Sequence, residues 1–250
     1  MKHKAVFVVF GLVLASTLAF GQTPEELIEK ADGIYDQMQD MASAEEALKL
    51  YRDALVVADN KYEAYWKISR MLYYVGAHKE KKKDRQNTFA QGVYHAEKAM
   101  ALEPEQPDGY YWRAVNNGKY GETRGVLKSL SLVKPIKADI NKVIELDRSY
   151  EGGGPDRVLG RVFFKLPGFA GGSKDKSLEH LLKSKEYDPN DALTRAYLGD
   201  TLLAKKEIEQ ARAELEYVMN LPDDPLWVAS IAESKELAEE LLKHKRFRKK

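Results

Sequence analysis

The chain repeats itself, and what recurs is the end of a helix. "AEKAMALEP" at residues 96–104, "INKVIELDR" at 140–148 and "LLKSKEYDP" at 181–189 are three versions of one segment, and "DRVLGRVFF" at 156–164 is echoed by "RAYLGDTLL" at 195–203. Self-similarity at a period of roughly 20–50 residues marks a stack of small units, because one unit cannot bury its apolar face alone and must be covered by the next. Helical spacing of the apolar residues runs through the chain, and no convincing stretch alternates as a strand would. The fold class expected is therefore all-α.

The landmarks resemble those of the tetratricopeptide (TPR) unit, in which small residues at two positions let paired helices approach closely and a Pro ends the second helix. Leu198, Gly199 and Ala211 fit one unit, Ala99 and Pro104 another, and Ala47, Tyr51 and Ala54 a first. The reading is a TPR-like α-solenoid of about five helical hairpins closed by a capping helix at residues 226–244. Thr23, Pro24 and Glu26 have the form of an N-cap, a first-turn Pro and an early acid, so the first helix starts there. The unit-ending residues Asp59, Pro104, Arg148, Pro189 and Asp223 are spaced 45, 44, 41 and 34 residues apart. Only the last matches the 34-residue TPR period. The surplus is assigned to enlarged loops inside the hairpins, at residues 76–87, 118–135 and 165–173, clustered along one edge where a binding face could form.

Residues 1–21 read as a secretory signal peptide: a basic start, the apolar run "AVFVVFGLVLASTLAF" and small residues near Gly21. Residues 22–250 then form a single repeat domain ending in a short basic tail, "KHKRFRKK", in a periplasmic or secreted setting; an uncleaved membrane anchor is the alternative. There are no cysteines, so neither disulfides nor a lipid-modified N-terminal Cys can hold the chain. The 40 basic and 39 acidic residues nearly cancel, which gives no field for nucleic acid.

In a TPR superhelix the first helix of each unit lines the concave face. The inward positions are Trp66, Arg70 and Tyr73 in the second unit, Tyr111 and Val115 in the third, and Arg157, Arg161 and Phe164 in the fourth. The fifth adds Leu193, Asp200 and Leu203. Rings with guanidinium groups suit a ligand having an apolar body and a carboxylate, since Arg forks onto two oxygens. The competing reading makes the aromatics packing residues and the arginines ion-paired. The loop at Pro167, Gly168, Phe169, Gly171 and Gly172 would form the edge of this site.

Enzyme chemistry finds little support. "GFAGGSKDKS" follows no strand and lacks the Gly-Lys-Ser/Thr order of a phosphate loop, and the five histidines show no metal-binding spacing. No nucleophile elbow occurs, and nothing calls for a cofactor.

"GYYWRAVNNGKYGE" at 109–122, "GGPDRVLGRVFFKLPGFAGGSKDKS" at 153–177 and "YDPNDALTRAYLGDTLLAKKE" at 187–207 together resemble the T component of tripartite ATP-independent periplasmic (TRAP) transporters, the TatT-like family. That resemblance implies a helical periplasmic protein with a ligand-accessible cavity. It would act with the substrate-binding P component in uptake of organic acids or other partly apolar small molecules, and could self-associate as a homo-oligomer. The leader departs from the family's lipoprotein pattern, ending "AFGQT" without Cys. A generic exported TPR scaffold that docks a peptide or protein helix in its groove is the alternative.

Overall fold

A computed structural model describes residues 21–222 and 228–248. The leader, Gly21 excepted, and the unit-ending Asp223 lie outside the described residues. The described residues form five hairpins: α1 (Pro24–Asp36) with α2 (Met41–Val57), α3 (Tyr62–His78) with α4 (Lys82–Leu102), α5 (Pro107–Arg124) with α6 (Leu130–Leu146), α7 (Tyr150–Lys165) with α8 (Lys174–Tyr187), and α9 (Ala192–Lys205) with α10 (Ile208–Met219). A last helix, α11 (Val228–Leu242), caps the stack. No helix among the described residues is long and apolar enough to cross a membrane.

Local chemistry explains where these helices start. Thr23 and Glu26 form a reciprocal capping box with Pro24 in the first turn of α1, and Ser173 Oγ accepts from the Lys176 amide at 3.2 Å to start α8. Close packing explains the two Leu-Gly landmarks. A Cβ on Gly160 would lie 2.6 Å from Leu181 Cγ, and one on Gly199 would lie 2.5 Å from Leu215 Cγ, so α7 against α8 and α9 against α10 need a residue without a side chain there.

The enlarged-loop expectation is corrected in two of its three places. The surplus of the second unit goes into α3 and α4, which are 17 and 21 residues long against 14 and 12 for α9 and α10. Residues 79–81 are all that remains of the loop expected at 76–87. In the third unit α5 runs on to Arg124, only Gly125 and the short 3-10 turn Val126–Ser129 intervene, and Pro135 stands inside α6. The third segment is a true loop, residues 166–173. The glycines at 152–154 belong to a defined turn. Glu151, Gly152 and Gly153 take left-handed values (φ 50, 62 and 81°) and make a tight reversed turn at the start of α7.

The core runs along the stack. Tyr51, Ile68 and Met71 are fully buried between the first two hairpins, and Ala229 of α11 packs into that same cluster. His78 Nε2 of α3 lies 3.4 Å from Glu233 Oε1 of α11. The capping helix therefore packs on the last hairpin and also reaches back to the first two, closing the concave side into a ring. The basic C-terminal segment docks rather than trails: Phe247 joins the α9–α10 core, its carbonyl accepts from Arg212 at 2.9 Å, and Arg246 donates to the Leu203 carbonyl at 2.5 Å.

Candidate functional site: a concave chamber

Inside the ring lies a chamber of about 1140 Å³, lined from α1, α3, α5, α7, α9 and α11, from the start of α6 and the end of α10, and from the connections between helices. Five of the sequence-predicted residues meet on its wall: Arg70, Tyr73, Tyr111, Arg157 and Arg161. Val115 and Leu193 join them. Trp66, Phe164 and Asp200 stand behind that wall, each against a chamber arginine: Arg70 lies 5.0 Å over the Trp66 ring, Arg161 lies 5.1 Å over the Phe164 ring, and Arg161 Nη1 binds Asp200 Oδ2 at 2.8 Å. Leu203 is core.

Each of these arginines already has a carboxylate partner within the chain. Arg157 bonds Asp191 at 3.0 Å, Thr194 at 3.5 Å, the Tyr111 hydroxyl at 3.3 Å and the Glu151 carbonyl at 3.3 Å. Arg70 reaches Asp32 at 3.3 Å and the Tyr51 hydroxyl at 3.1 Å, and its guanidinium covers the Tyr35 ring at 3.6 Å. Arg161 also packs over Tyr197 at 4.4 Å. Each guanidinium therefore already has an aspartate partner; Arg157 is bonded through both terminal nitrogens, whereas Arg70 and Arg161 are held through one terminal nitrogen each and keep a buried Nε without a resolved partner. The wall presents aromatic surface instead: burial pushes the Tyr35 and Tyr111 hydroxyls up to about 12 and raises Tyr73 as well, so all three are neutral donors.

Glu151 is the group that sequence reasoning passed over. It precedes three glycines and stands at none of the inward repeat positions, so no landmark pointed to it. Its side chain reaches into the chamber, open to water yet ringed by protein, and it forms no ion pair among those resolved between described residues. Burial pushes its carboxyl above the ordinary value of 4.5, against the pull of Arg70 and Arg157. Lys165, also on the wall, is pushed down by burial and by Arg161. The lining from α11, Ser230 and Glu233 among it, was also missed, because capping helices carry no repeat landmark.

The loop-edge residues stand apart from the chamber. Gly171 (φ 83°) ends a 3-10 turn, and a Cβ on Gly172 would lie 1.9 Å from the Leu166 carbonyl oxygen, so these glycines serve the turn itself. Pro167 and Gly168 begin that turn, and Phe169 at its tip lies against α6. Among the described residues no group of His, Cys, Asp and Glu could hold a metal ion.

With this geometry established, comparison with known proteins places the chain. The family model "Regulator of microtubule dynamics protein 1-3" matches residues 27–152, from α1 to the start of α7. The chain belongs to that family. No curated protein matches it significantly. Among solved structures, the TPR protein TTC0263 of Thermus thermophilus superposes with a TM-score of 0.66 at 14% identity, over 88% of this chain and 99% of that one. At such identity the likeness shows the TPR fold alone. The MamA protein of Desulfovibrio magneticus RS-1 gives a TM-score of 0.47 at 17% identity, over 78% of this chain and 95% of that one. The α-solenoid of helical hairpins is the architecture of this chain.

Proposed function

We propose that this protein is a non-enzymatic TPR scaffold that takes an apolar segment of a partner polypeptide into its concave chamber. The observation that carries the reading is the state of the wall: its arginines are paired with Asp32, Asp191 and Asp200, and between the remaining charged groups, Glu151 and Lys165 among them, it presents tyrosine rings and aliphatic surface. Such surface recognises apolar anchors with few hydrogen bonds, the mode by which grooves hold helices. From the leader we infer export to a periplasmic or extracellular space. What the chain then shares with the family's namesakes is the scaffold, and its partner is an exported polypeptide rather than a microtubule.

A second reading rests on the chamber's size and on the resemblance to the TRAP T component: a partly apolar organic acid held for a P-component protein. About 1140 Å³ is ample for such a molecule. Against it, each chamber arginine is already paired with an aspartate, which offsets the charge a bound carboxylate would meet.

A photo-crosslinker placed at Val115 on the wall, and a second at exposed Glu216 on α10 as control, distinguishes the two. The scaffold reading expects a discrete polypeptide adduct from Val115 only, reduced by Tyr73→Ala. A small molecule co-purifying in native mass spectra, with no polypeptide adduct from Val115, would overturn it in favour of the second reading.

A further inference from the structure

The edge where the hairpins turn carries large apolar side chains that the core does not use. The turn before α6 leaves Val126 and Leu127 41% and 68% exposed, and the turn before α8 leaves Phe169 79% exposed. The two turns face one edge: Phe169 and Ala170 border a shallow depression along α6 with Leu130, Val133, Lys134 and Lys137, and Leu127 lies one turn before Leu130. One exposed apolar side chain is ordinary, whereas Leu127 and Phe169 at one edge, beside a Val126 shared with the chamber lining, form a patch.

The charge around that patch is of one sign. Over residues 125–142 the acid is Asp139, which is buried and held by Arg113, with Nε donating to Oδ2 at 2.9 Å. Over 163–176 it is Asp175, which is paired with Lys205. Lys128, Lys134 and Lys176 are exposed, and with Lys137 they take part in none of the ion pairs resolved among the described residues. Lys137 Nζ sits 4.0 Å over the Phe163 ring, with Lys176 Nζ 5.5 Å from the same ring, so like charges are gathered rather than neutralised. On α6, Leu130, Lys134, Lys137 and Asn141 follow one another at helical spacing along the single line that faces the depression.

We propose that this edge docks on an anionic membrane surface, with Phe169 and Leu127 entering the headgroup layer and Lys128, Lys134, Lys137 and Lys176 lying over lipid phosphates. A lipid surface suits the shape better than a partner helix does. Phe169 stands 79% exposed at the rim of a shallow, open depression and Leu127 68% exposed on the neighbouring turn, and the lysines behind them have long stems that cross apolar surface to reach charge. Apolar insertion and a basic patch are the two signals that together give stable peripheral binding.

The test is vesicle flotation of the protein lacking residues 1–21, which keeps every described helix, with phosphatidylcholine vesicles and with equal parts phosphatidylcholine and phosphatidylglycerol. Flotation is expected with the mixed vesicles only, weakening as salt rises. Each lysine near such a surface is worth about fivefold in partition, so Lys134→Gln with Lys137→Gln should weaken binding about 25-fold. Leu127→Ser with Phe169→Ser should abolish it; both double variants alter exposed or half-exposed positions and should melt as the parent does. Equal flotation with both vesicle types, no flotation at all, or double variants that float like the parent would refute the proposal. Retention by polyglutamate without vesicle binding would also refute it, and would assign the edge to an acidic polypeptide.

Discussion

Replacing Glu151 with glycine should make the protein more stable. Glu151 sits at φ 50°, ψ 43°, followed by Gly152 and Gly153 with the same handedness, so a residue with a side chain occupies the first position of a left-handed turn. Holding a non-glycine residue there costs about 1–2 kcal/mol. Glycine removes that strain but gives back about 0.5–1 kcal/mol through the greater freedom of the unfolded chain. The net gain for Glu151→Gly is about 0.5–1 kcal/mol, or about 2–3 °C in melting temperature for a chain of this size. Glu151→Ala keeps the strain and removes only the carboxyl, so the difference between the two variants isolates the backbone. Gly153→Ala is the opposite control. At φ 81° its new Cβ would meet the Ser184 carbonyl oxygen at 2.8 Å and Ser184 Cα at 3.0 Å, backbone atoms that cannot move aside, at a cost of more than about 2 kcal/mol. Acidity adds a second dimension. A carboxyl whose folded pKa is raised stabilises the fold fully below its unfolded value, and that contribution is lost as pH rises through the folded value. The advantage of Glu151→Ala over the parent should therefore grow from acid toward neutral pH. Urea titrations at several pH values measure all three variants. A Glu151→Gly protein no more stable than Glu151→Ala would refute the strain argument, and a pH-independent Glu151→Ala difference would refute the electrostatic one.

Two further perturbations follow from buried charge. Asp156 is fully buried and accepts from Arg148 at 2.8 and 3.0 Å and contacts His180 Nδ1 at 2.7 Å; burial pulls its carboxyl up, but the bonds from His180 and Arg148 outweigh it and hold the group below its ordinary value of 3.8. Its contribution is present above that value and lost as pH falls through the folded one, so Asp156→Asn should cost about 2 kcal/mol at neutral pH and show a flatter acid limb in urea melts. Arg157→Lys keeps the charge but cannot reach Asp191, Tyr111 and the Glu151 carbonyl together; a loss of about 1–2 kcal/mol is expected by chemical denaturation.

The hairpins were legible because packing writes them into the sequence. Gly160 and Gly199 stand where no Cβ fits, and Thr23 and Ser173 stand where an amide needs an acceptor. The helix lengths were not. Lys82, Lys83, Asp84 and Arg85 read as a charged loop, yet the same residues are serviceable helix formers on a solvated face and open α4. Gly118 and Gly121 likewise suggested a turn, and α5 passes through both; Gly121 admits Ser129, which would lie 3.2 Å from a Cβ there. The chamber's aromatic side was legible from repeat positions. Its electrostatics were not, because an arginine's partner is set by how the units stack and no local pattern names it.

Those partners have a regular spacing. Arg157 bonds Asp191 and Arg161 bonds Asp200, 34 and 39 residues apart, and Arg70 bonds Asp32 across 38. Each pair joins neighbouring first helices, α7 to α9 twice and α3 to α1 once, at about one repeat length. Side chains that a single unit would offer to a ligand are consumed in fastening one unit to the next. The same pairing explains why the wall's arginines do not make it a basic surface: stacking sets an aspartate against each guanidinium, and the tyrosine rings line the chamber beside them. It also separates two kinds of variant. Substitutions at Arg70, Arg157 or Arg161 act first on the joints between hairpins, so lost binding after them would not show that the arginine touches the occupant. Tyr73, whose hydroxyl makes no hydrogen bond resolved between described residues and whose ring lines the chamber, leaves every arginine–aspartate pair in place when it is truncated; because the ring also packs beside Trp112 of α5 at 6.0 Å, its variant is read together with a melting curve.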